Sequence, residues 1–279
     1  MKLVGTVKDL QKELMQASDT AGVGFVPTMG ALHEGHLALV RRAVAENQLV
    51  VVSIFVNPTQ FNDPKDLERY PRTLENDLKL LESTACHIVF APSVQEVYPK
   101  PDTRKFNFGM LETVMEGKFR PGHFNGVAQV VSRLFDMVQP QIAYFGLKDF
   151  QQLVIIKNMV KQLGLPIEII ACDIVREKSG LAMSSRNELL SAEQRENAAL
   201  ISQTLFAAKQ LSTQKNVQEL ANWVVDTINK NPFLDVEYFE IVDDEQLQAV
   251  NNWNEENTKV GCIAVFCGKI RLIDNIVFN

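Results

Sequence analysis

Residues 1 to about 175 alternate short β-branched runs with stretches of helical periodicity, and this alternation constrains the fold more than any other feature of the chain. The runs typical of strands cover residues 23–26, 49–55, 88–90, 141–145 and 167–172. The stretches with one apolar helical stripe cover residues 35–46, 74–81, 124–138 and 151–163. Strands that alternate with helices form βαβ units. The pattern therefore predicts a Rossmann-like α/β fold with a doubly wound parallel sheet.

The pattern changes after Val175, where a polar loop begins. The later segments comprise helical patterns at 192–210 and 217–228 and β-rich runs at 236–242, 261–266 and 269–277. Helices followed by a group of strands are typical of an α+β domain. We therefore expect two domains, a larger one over residues 1–175 and a smaller α+β domain over residues 176–279.

Composition and charge exclude several classes of protein. The 279 residues are 46% hydrophobic and 22% charged, which is ordinary for a globular protein and excludes a disordered or rod-like chain. The 28 basic and 34 acidic side chains give a net charge of −6. This balance argues against a protein built to bind nucleic acid or anionic lipid.

The sequence also suggests where the protein is found. The first fifteen residues, MKLVGTVKDLQKELM, mix charged with apolar residues and lack the apolar core of a secretion signal. The most apolar stretch, residues 49–56, is shorter than the roughly 20 residues that span a bilayer. We expect free, mostly buried thiols at Cys86, Cys172, Cys262 and Cys267, whose spacing does not suggest zinc. A cytoplasmic protein that binds no membrane is predicted.

The segment FVPTMGALHEGHLALV, residues 25–40, carries the strongest functional signal. A strand leads through a turn into a helix, so free backbone N–H groups and the positive end of a helix dipole are expected where a phosphate would bind. Gly30 and Gly35 lack a Cβ, which lets a ligand approach the backbone. His33 and His36 project from one face of the first helical turn and are placed to donate hydrogen bonds to a phosphate chain. The competing interpretation is a helix cap with two surface histidines.

A second motif, GLAMSSRN, lies in the polar loop at residues 180–187. Ser184, Ser185 and Arg186 are hydrogen-bond donors in series, and an arginine can bind two phosphate oxygens at once. Ordinary capping by Ser185 or Asn187 is the alternative. We call the turn with His33 and His36 the histidine turn. Together with it, the polar loop around residues 180–187 is interpreted as a mobile phosphate clamp, the clamp loop.

Three polar side chains elsewhere are candidates for binding a ligand. Lys148, in the segment YFGLKDFQQ, follows a predicted strand, and ligands of open α/β sheets bind beyond the carboxyl ends of strands. A solvated pair of Lys148 and Asp149 is the alternative. The amides of Gln60 and Gln152 are suited to hold a carboxylate or a hydroxyl group.

Four more positions carry weaker signals. Arg120 and His123, in KFRPGHFNGV, precede a helix and form either a ligand loop or a simple turn. Asp77 lies near a predicted helix start, where an acidic residue usually complements the helix dipole. It is also a candidate Mg²⁺ ligand, because magnesium takes one or two carboxylates beside substrate phosphates. His87, at the start of a strand, is expected to be structural.

Six motifs in their chain order, PTMGALHEGH, FVNPTQF, YPRT, RPGHFNGV, FG-KD-QQ and GLAMSSRN, resemble those of the pantoate–β-alanine ligase family. That family belongs to the H-x-G-H nucleotidyltransferase superfamily. The H-x-G-H motif alone identifies only the superfamily, whereas VNPTQF, RPGHFNGV and LAMSSRN are far more specific. The resemblance covers essentially the whole chain.

The resemblance implies a two-step reaction. Pantoate and MgATP form an enzyme-bound pantoyl adenylate and release pyrophosphate. The amine of β-alanine then attacks the adenylate to give AMP and pantothenate, which is vitamin B5 and a precursor of coenzyme A. The implied partners are ATP, pantoate, β-alanine and a second copy of the chain in a homodimer, and the implied cofactor is Mg²⁺.

The resemblance also implies which residues form the site. The catalytic residues are His33, His36, Lys148, Ser184, Ser185 and Arg186. The ATP site further includes Met29, Gly30, Ala31, Leu32, Glu34, Gly35, Gly146, Leu147, Asp149, Val175 and Met183. Pantoate is held by Gln60 and Gln152, and Gln60 also lies near β-alanine. Residues 1–175 would bind the nucleotide and pantoate, and residues 176–279 would carry the clamp loop.

Three positions depart from the family's pattern. Leu147 stands where the family usually has glutamate, and Ser179 stands where it often has aspartate. Asn76 precedes Asp77 where two acidic residues are common. None of these departures removes a side chain that the two steps require.

Two other functions are compatible with the same motifs. One is an adenylyltransferase that acts on another acceptor, and the dependence of AMP release on β-alanine distinguishes it. The other is a non-catalytic ATP-binding sensor, which would not need the full set of transition-state donors. Kinship to tRNA synthetases suggests nucleic-acid binding, but the net charge of −6 and the lack of a basic stripe argue against it.

Overall fold

A parallel sheet of six strands is the largest element of the computed structural model, which describes residues 1–16, 22–61, 67–68 and 70–278. Its strands are β1 (Lys2–Val4), β2 (Val23–Thr28), β3 (Leu49–Ile54), β4 (Ile88–Phe90), β5 (Ile142–Gly146) and β6 (Glu168–Cys172). Their order across the sheet is β1-β4-β3-β2-β5-β6. The predicted α/β class with a parallel sheet is confirmed.

Seven helices of the described residues accompany these strands along the chain. They are α1 (Val7–Gln16), α2 (Glu34–Glu46), α3 (Leu74–Glu82), α4 (Val94–Val97), α5 (Met115–Phe119), α6 (His123–Val138) and α7 (Phe150–Leu163). The central strands β2 and β3 are buried along almost their whole length. Strands covered on both faces need continuous apolar runs rather than alternation, and the sequences VGFVPT and LVVVSI supply them.

The strand order predicts where a ligand crevice would lie along the sheet. From β2 the chain proceeds to β3 and β4 on one side, and it later returns to place β5 on the other side of β2. The order therefore reverses between β2 and β5. In open α/β sheets this switch point, at the carboxyl ends of the strands, is where ligands bind. The turn after β2 and the end of β5 both lie at this edge.

The predicted strands and helices of this sheet lie within two residues of the observed ones. The sequence pattern did not predict β1, α1 or the short helices α4 and α5, which have only four and five residues. The strand β1 has three residues at the edge of the sheet, which is too short for a periodic signal. The helix α1 has Val7, Leu10 and Leu14 at helical spacing, but only Leu10 is fully buried.

The C-terminal part of the chain forms a separate antiparallel sheet, as expected for an α+β domain. Its elements are α8 (Ala192–Leu211), α9 (Val217–Asn229), β7 (Leu234–Asp243), β8 (Lys259–Cys267) and β9 (Ile270–Phe278). The strands are ordered β7-β8-β9. Leu205, Leu220 and Ile263 are completely buried in the core that the helices share with this sheet.

The chain divides into two compact units. The first unit comprises residues 1–109, 119–147 and 155–172. The second unit comprises residues 110–118, 148–154 and 173–279. Residues 110–118 and 148–154 therefore group with the C-terminal elements. The predicted single boundary at residue 175 does not include this exchange.

Two smaller expectations, for the cysteines and for His87, are also met. All four cysteines are buried and free. His87 Nδ1 accepts a hydrogen bond of 3.1 Å from the backbone N–H of Val50, so this histidine is structural. None of the helices in the described ranges is long and apolar enough to cross a membrane.

Candidate active site

The turn that follows β2 is shaped by Gly30 and by a buried carboxylate. Gly30 has φ +80°, a conformation that glycine adopts without strain. A Cβ at this position would lie 3.0 Å from Asp77 Oδ2 and 3.1 Å from the side chain of Ile54. The missing side chain therefore makes room for the protein's own atoms. The expected approach of a ligand to this backbone stays a prediction.

Asp77, on α3, accepts hydrogen bonds from the backbone of this turn. Its side chain is almost fully buried, with 1% of the residue exposed. Its two oxygens accept hydrogen bonds from the backbone N–H groups of Ala31 at 3.0 Å and Leu32 at 2.8 Å. Thr73 Oγ1 donates a further bond of 3.2 Å. These contacts give Asp77 a positioning task in the turn. The Mg²⁺ assignment stays a prediction that they do not support.

The expectation of free backbone N–H groups in this turn is wrong. Five of them donate to side chains of the protein: those of Gly30, Ala31, Leu32, His33 and Gly35. Buried N–H groups need acceptors, and the turn provides them internally. A phosphate at this turn would therefore be bound chiefly by side chains rather than by a backbone cradle.

The two motif histidines cap α2 together. His33 is the N-cap residue, and its Nδ1 accepts a hydrogen bond of 3.2 Å from the N–H of Gly35. In return, His36 Nδ1 accepts a bond of 3.3 Å from the N–H of His33. This is a capping box in which imidazoles take the place of the usual hydroxyl and carboxylate. The alternative interpretation, that these histidines cap the helix, is thus confirmed.

Capping also fixes the tautomer of both rings. A nitrogen that accepts a hydrogen bond carries no proton, so in each neutral imidazole the proton sits on Nε2. The two rings lie with their centroids 4.1 Å apart at the N-terminus of α2. Because capping uses Nδ1 and ligand binding would use Nε2–H, the two interpretations of these histidines are compatible. The pair supplies two N–H donors at the positive end of a helix dipole.

Gln60 lies in a short 3-10 turn, Pro58–Gln60, after β3. Asn57 caps this turn, and its side-chain amide donates 3.3 Å to Gln60 Oε1 and 3.2 Å to the carbonyl of Gly126. The side-chain nitrogen of Gln60 lies against the sulfur of Met29, in the histidine turn. The structure therefore places Gln60 beside the predicted ATP-binding turn within the first unit.

Helix α6 packs against the turn that carries Gln60. His123 is buried, and its Nδ1 donates a hydrogen bond of 3.0 Å to the backbone carbonyl of Gln60. Arg120 donates to the other ring nitrogen at 3.2 Å. A Cβ at Gly126 would approach the carbonyl oxygen of Thr59 to 2.5 Å, so α6 touches the turn closely. The motif RPGHFNGV thus supports Gln60 through its backbone.

In the second unit, Lys148 lies in the 3-10 turn Leu147–Asp149 that follows β5 in the chain. Its side chain is 19% exposed, and Nζ lies 3.9 Å from Asp149 Oδ2. This is a long, partly solvated contact, so the pair that was the alternative interpretation exists but is weak. Asn275 donates a hydrogen bond of 3.1 Å to the backbone carbonyl of Lys148.

The two glutamines at the start of α7 have different surroundings. Gln152 is half-buried, and its side chain makes no hydrogen bond to a described residue. Gln151 is buried and donates to the carbonyls of Leu111 at 2.8 Å and Val114 at 2.9 Å. It also accepts a bond of 2.9 Å from the N–H of Glu116. Gln151 is therefore structural, which leaves Gln152 as the candidate for binding a substrate.

The loop with the second motif forms a small hairpin. Met183 N–H donates 2.9 Å to the carbonyl of Val175, and Arg176 pairs with Ala182 in an antiparallel bridge. This hairpin brings together Val175 and Met183, which were both predicted to bind ATP. Leu181 N–H also donates to Ser179 Oγ at 3.4 Å, so serine at this departure from the family pattern accepts a turn hydrogen bond.

The predicted phosphate-binding residues follow the hairpin directly. Ser184 caps the 3-10 turn Ser185–Leu189 through a bond of 3.2 Å from the N–H of Arg186. Capping therefore falls to Ser184, and not to Ser185 or Asn187 as in the alternative interpretation. Asn187 is buried and donates to Glu177 Oε1 at 2.7 Å and to the carbonyl of Ala182 at 3.0 Å.

Sequence reasoning missed several residues that shape the site. Asn57 carried a usable signal, because Asn-Pro pairs favour turns. Gln151 and Asn275 act through partners far away in the sequence, and no local pattern marks them. Among the residues that the structure describes, no group of three His, Cys, Asp or Glu side chains could hold a metal ion.

The switch point and the turn with its H-x-G-H sequence define an α/β protein with a candidate ligand site at the carboxyl ends of β2 and β5. The sequence model of the family described as "Pantoate-beta-alanine ligase" matches residues 2–277. The chain belongs to the pantoate–β-alanine ligase family.

Known relatives agree with this placement. The chain is 58% identical to a pantothenate synthetase of Bacteroides fragilis over all of this chain and 99% of the relative. It is 59% identical to the enzyme of that name from Phocaeicola vulgatus over the full length of both. The crystal structure of pantothenate synthetase from Thermus thermophilus superposes with a TM-score of 0.92 at 44% identity, with 99% of each chain covered. A pantoate–β-alanine ligase from Francisella tularensis, complexed with β-γ ATP and β-alanine, gives 0.81 at 35% identity, with 99% and 97% covered.

Proposed function

We propose that the chain joins pantoate to β-alanine in two steps, through a pantoyl adenylate, with ATP converted to AMP and pyrophosphate. The ligase activity itself follows from membership of the family over essentially the whole chain. The observation that carries the adenylate step is the pair of imidazoles with Nε2–H donors at the N-terminus of α2. Neither another acceptor nor a non-catalytic sensor is favoured.

In the first step an oxygen of the pantoate carboxylate attacks the α-phosphorus of ATP. A new P–O bond forms as the bond from the α-phosphorus to the bridging oxygen of pyrophosphate breaks, and the electron pair leaves with pyrophosphate. No side-chain nucleophile is needed, so the protein acts by aligning the reactants and by stabilising charge. We assign pantoate to the amides of Gln60 and Gln152, which can bind its carboxylate and hydroxyl groups.

The charge stabilisation is assigned to six side chains. They are His33, His36, Lys148, Ser184, Ser185 and Arg186. The histidines donate neutral N–H groups that their cap bonds hold in one orientation, so no reorganisation is required as phosphate charge shifts. The lysine and the arginine supply full positive charge, and the arginine can bind two phosphate oxygens.

The remaining predicted ATP contacts belong to the same proposal. They are Met29, Gly30, Ala31, Leu32, Glu34, Gly35, Gly146, Leu147, Asp149, Val175 and Met183. Since the N–H groups of the turn are engaged within the protein, the residues of the turn would shape the nucleotide site more than they would donate to it. Closure of the clamp loop would protect the pantoyl adenylate, which is a mixed anhydride, from hydrolysis by water.

In the second step the amine of β-alanine attacks the acyl carbon of the adenylate. The C–N bond forms, the C–O bond to AMP breaks, and the amine loses one proton. AMP therefore keeps the oxygen that came from pantoate. We assign the β-alanine site to the neighbourhood of Gln60, whose turn is held by Asn57 and His123.

Mg²⁺ belongs to the substrate in this proposal and enters as MgATP. Magnesium retains several waters and is usually bound through substrate phosphates with one or two carboxylates. Asp77 stays a candidate ligand, although its oxygens already accept bonds from the turn. We extend the proposal to a homodimer, on the ground of family resemblance, and to the cytoplasm, on the ground of the four free cysteines.

Transfer of ¹⁸O tests the adenylate directly. With pantoate labelled in both carboxylate oxygens, we expect each AMP formed to carry one ¹⁸O, measured by mass spectrometry of the nucleotide. Unlabelled AMP would contradict attack of the carboxylate on the α-phosphorus. ADP together with labelled inorganic phosphate would instead indicate an acyl phosphate intermediate.

A further inference from the structure

Two neighbouring residues of β9, Asp274 and Asn275, contact both segments of the second unit that carry predicted phosphate-binding side chains. Both residues are buried, with 4% of each exposed. The register of β9 is set by its antiparallel pairing with β8, in which Asp274 lies opposite Ile263. Successive side chains of a strand project to opposite faces. One short stretch of β9 can therefore reach two different segments.

Asp274 binds the hairpin that precedes Ser184. Its carboxylate forms a two-pronged ion pair with Arg176, with distances of 2.6 Å and 2.9 Å. The same guanidinium donates 3.1 Å to the carbonyl of Gly180, at the tip of the hairpin, and stacks 4.9 Å from the ring of Phe206. The guanidinium therefore links both strands of the hairpin to β9. The position of the hairpin determines where the chain enters the segment from Ser184.

Asn275 binds the other segment. Its side-chain amide donates a hydrogen bond of 3.1 Å to the backbone carbonyl of Lys148. Its backbone N–H donates 2.8 Å to Asp274 Oδ1, which connects the two contacts. The carbonyl of Lys148 thus has a fixed partner, while the lysine side chain stays partly exposed.

Stability alone is a weak reason for placing these groups here. Buried ion pairs are often replaced by apolar residues with no loss of stability, because desolvation offsets the attraction. What a two-pronged pair provides is a defined geometry. A displacement of about 1 Å at a reacting group lowers rates by about 10²-fold.

We propose that Asp274 and Asn275 are positioning residues for adenylate formation. Asp274 acts through Arg176 on the hairpin that leads to Ser184, and Asn275 acts through the backbone on Lys148. The inference rests on the proposed function, in which these segments stabilise phosphate charge. Neither residue is assigned a contact with the substrate.

The test separates the two chemical steps in single-turnover experiments. We expect Asp274→Asn and Asn275→Ala to lower the rate of adenylate formation by about 10–10²-fold. The attack of β-alanine on preformed adenylate should change by less than about threefold, because it requires no binding of pyrophosphate charge. Arg176→Lys, which keeps the charge but loses the two-pronged geometry, should fall between wild type and Asp274→Asn.

Asn231→Ala is the matched control. Asn231 also lies in the second unit, donates 2.8 Å to Asn197 and accepts 2.9 Å from the N–H of Phe233. The Asn231→Ala variant should lose about as much free energy of unfolding as the β9 variants, measured by urea unfolding. Neither chemical step should change selectively in it. Equal reductions of both steps in Asp274→Asn and Asn275→Ala, or no larger effect than in Asn231→Ala, would overturn the inference.

Lys148→Ala in the same assay separates this inference from the proposed function. If that variant forms adenylate at the wild-type rate, the proposed function of Lys148 fails, and the inference fails with it. If Lys148→Ala is slow and the β9 variants are not, only the inference fails. Should Asp274→Asn not fold, Asn275→Ala and Arg176→Lys carry the test, since each leaves the Asp274 carboxylate in place.

Discussion

Replacement of His36 by alanine is expected to lower the rate of pantoyl adenylate formation by about 10²–10³-fold, the range for loss of one transition-state donor. The reason is the loss of the Nε2–H group, which the cap bond from His33 N–H orients. The measurement is pantoate-dependent exchange of labelled pyrophosphate into ATP in the absence of β-alanine.

Two further variants separate the donor from the cap. In His36→Asn the side-chain oxygen can replace Nδ1 as the cap acceptor, but nothing replaces the Nε2 donor. In His36→Gln the amide can reach the Nε2 position with an N–H donor. We expect His36→Gln to retain more exchange activity than His36→Asn, while His36→Asn keeps more stability. If His36→Asn were as active as wild type, the histidine would be only a cap.

Replacement of Lys148 by methionine is expected to reduce adenylate formation by a similar factor, about 10²–10³-fold. Methionine keeps the apolar stem and removes the charge, so the effect measures the charge rather than the packing. The side chain is 19% exposed, and its ion pair with Asp149 is long, at 3.9 Å, so that pair is weak.

The control for this variant is Lys157→Met. Lys157 is an exposed residue on the same helix that follows Lys148, and its loss changes net charge by the same amount. Pyrophosphate exchange by Lys157→Met should equal that of wild type. Near-wild-type exchange by Lys148→Met would reject the assigned function of Lys148.

The parallel sheet was predictable because β2 and β3 are buried and apolar along almost their whole length, and such a run is visible in the local sequence. The edge strand β1 was missed because three residues carry no periodic signal. By contrast, the longer strands and helices of the sheet have an apolar pattern of their own, and the sequence predicts their ends to within two residues.

The candidate site was predictable only in part. His33, Ser184 and Lys148 occur in short motifs whose chemistry can be interpreted locally. Asp77 was noticed, but a carboxylate that accepts two backbone N–H groups cannot be distinguished from a metal ligand by sequence alone. Asn275 contacts a residue 127 positions away, and no local pattern encodes such a contact.

The histidine turn shows why a structural and a functional interpretation need not compete. Each imidazole has two nitrogens with separate tasks. The capping box consumes Nδ1 and thereby fixes the proton on Nε2. A cap that also sets a tautomer provides an oriented donor.

The most direct test of the two-step ligase is the release of AMP and pyrophosphate from MgATP and pantoate, with and without β-alanine. We predict that pantoate alone yields pyrophosphate in at most one equivalent per active site, and that continuous turnover to AMP and pantothenate requires β-alanine. Continuous AMP release without β-alanine, or no product while ATP still binds, would contradict the account.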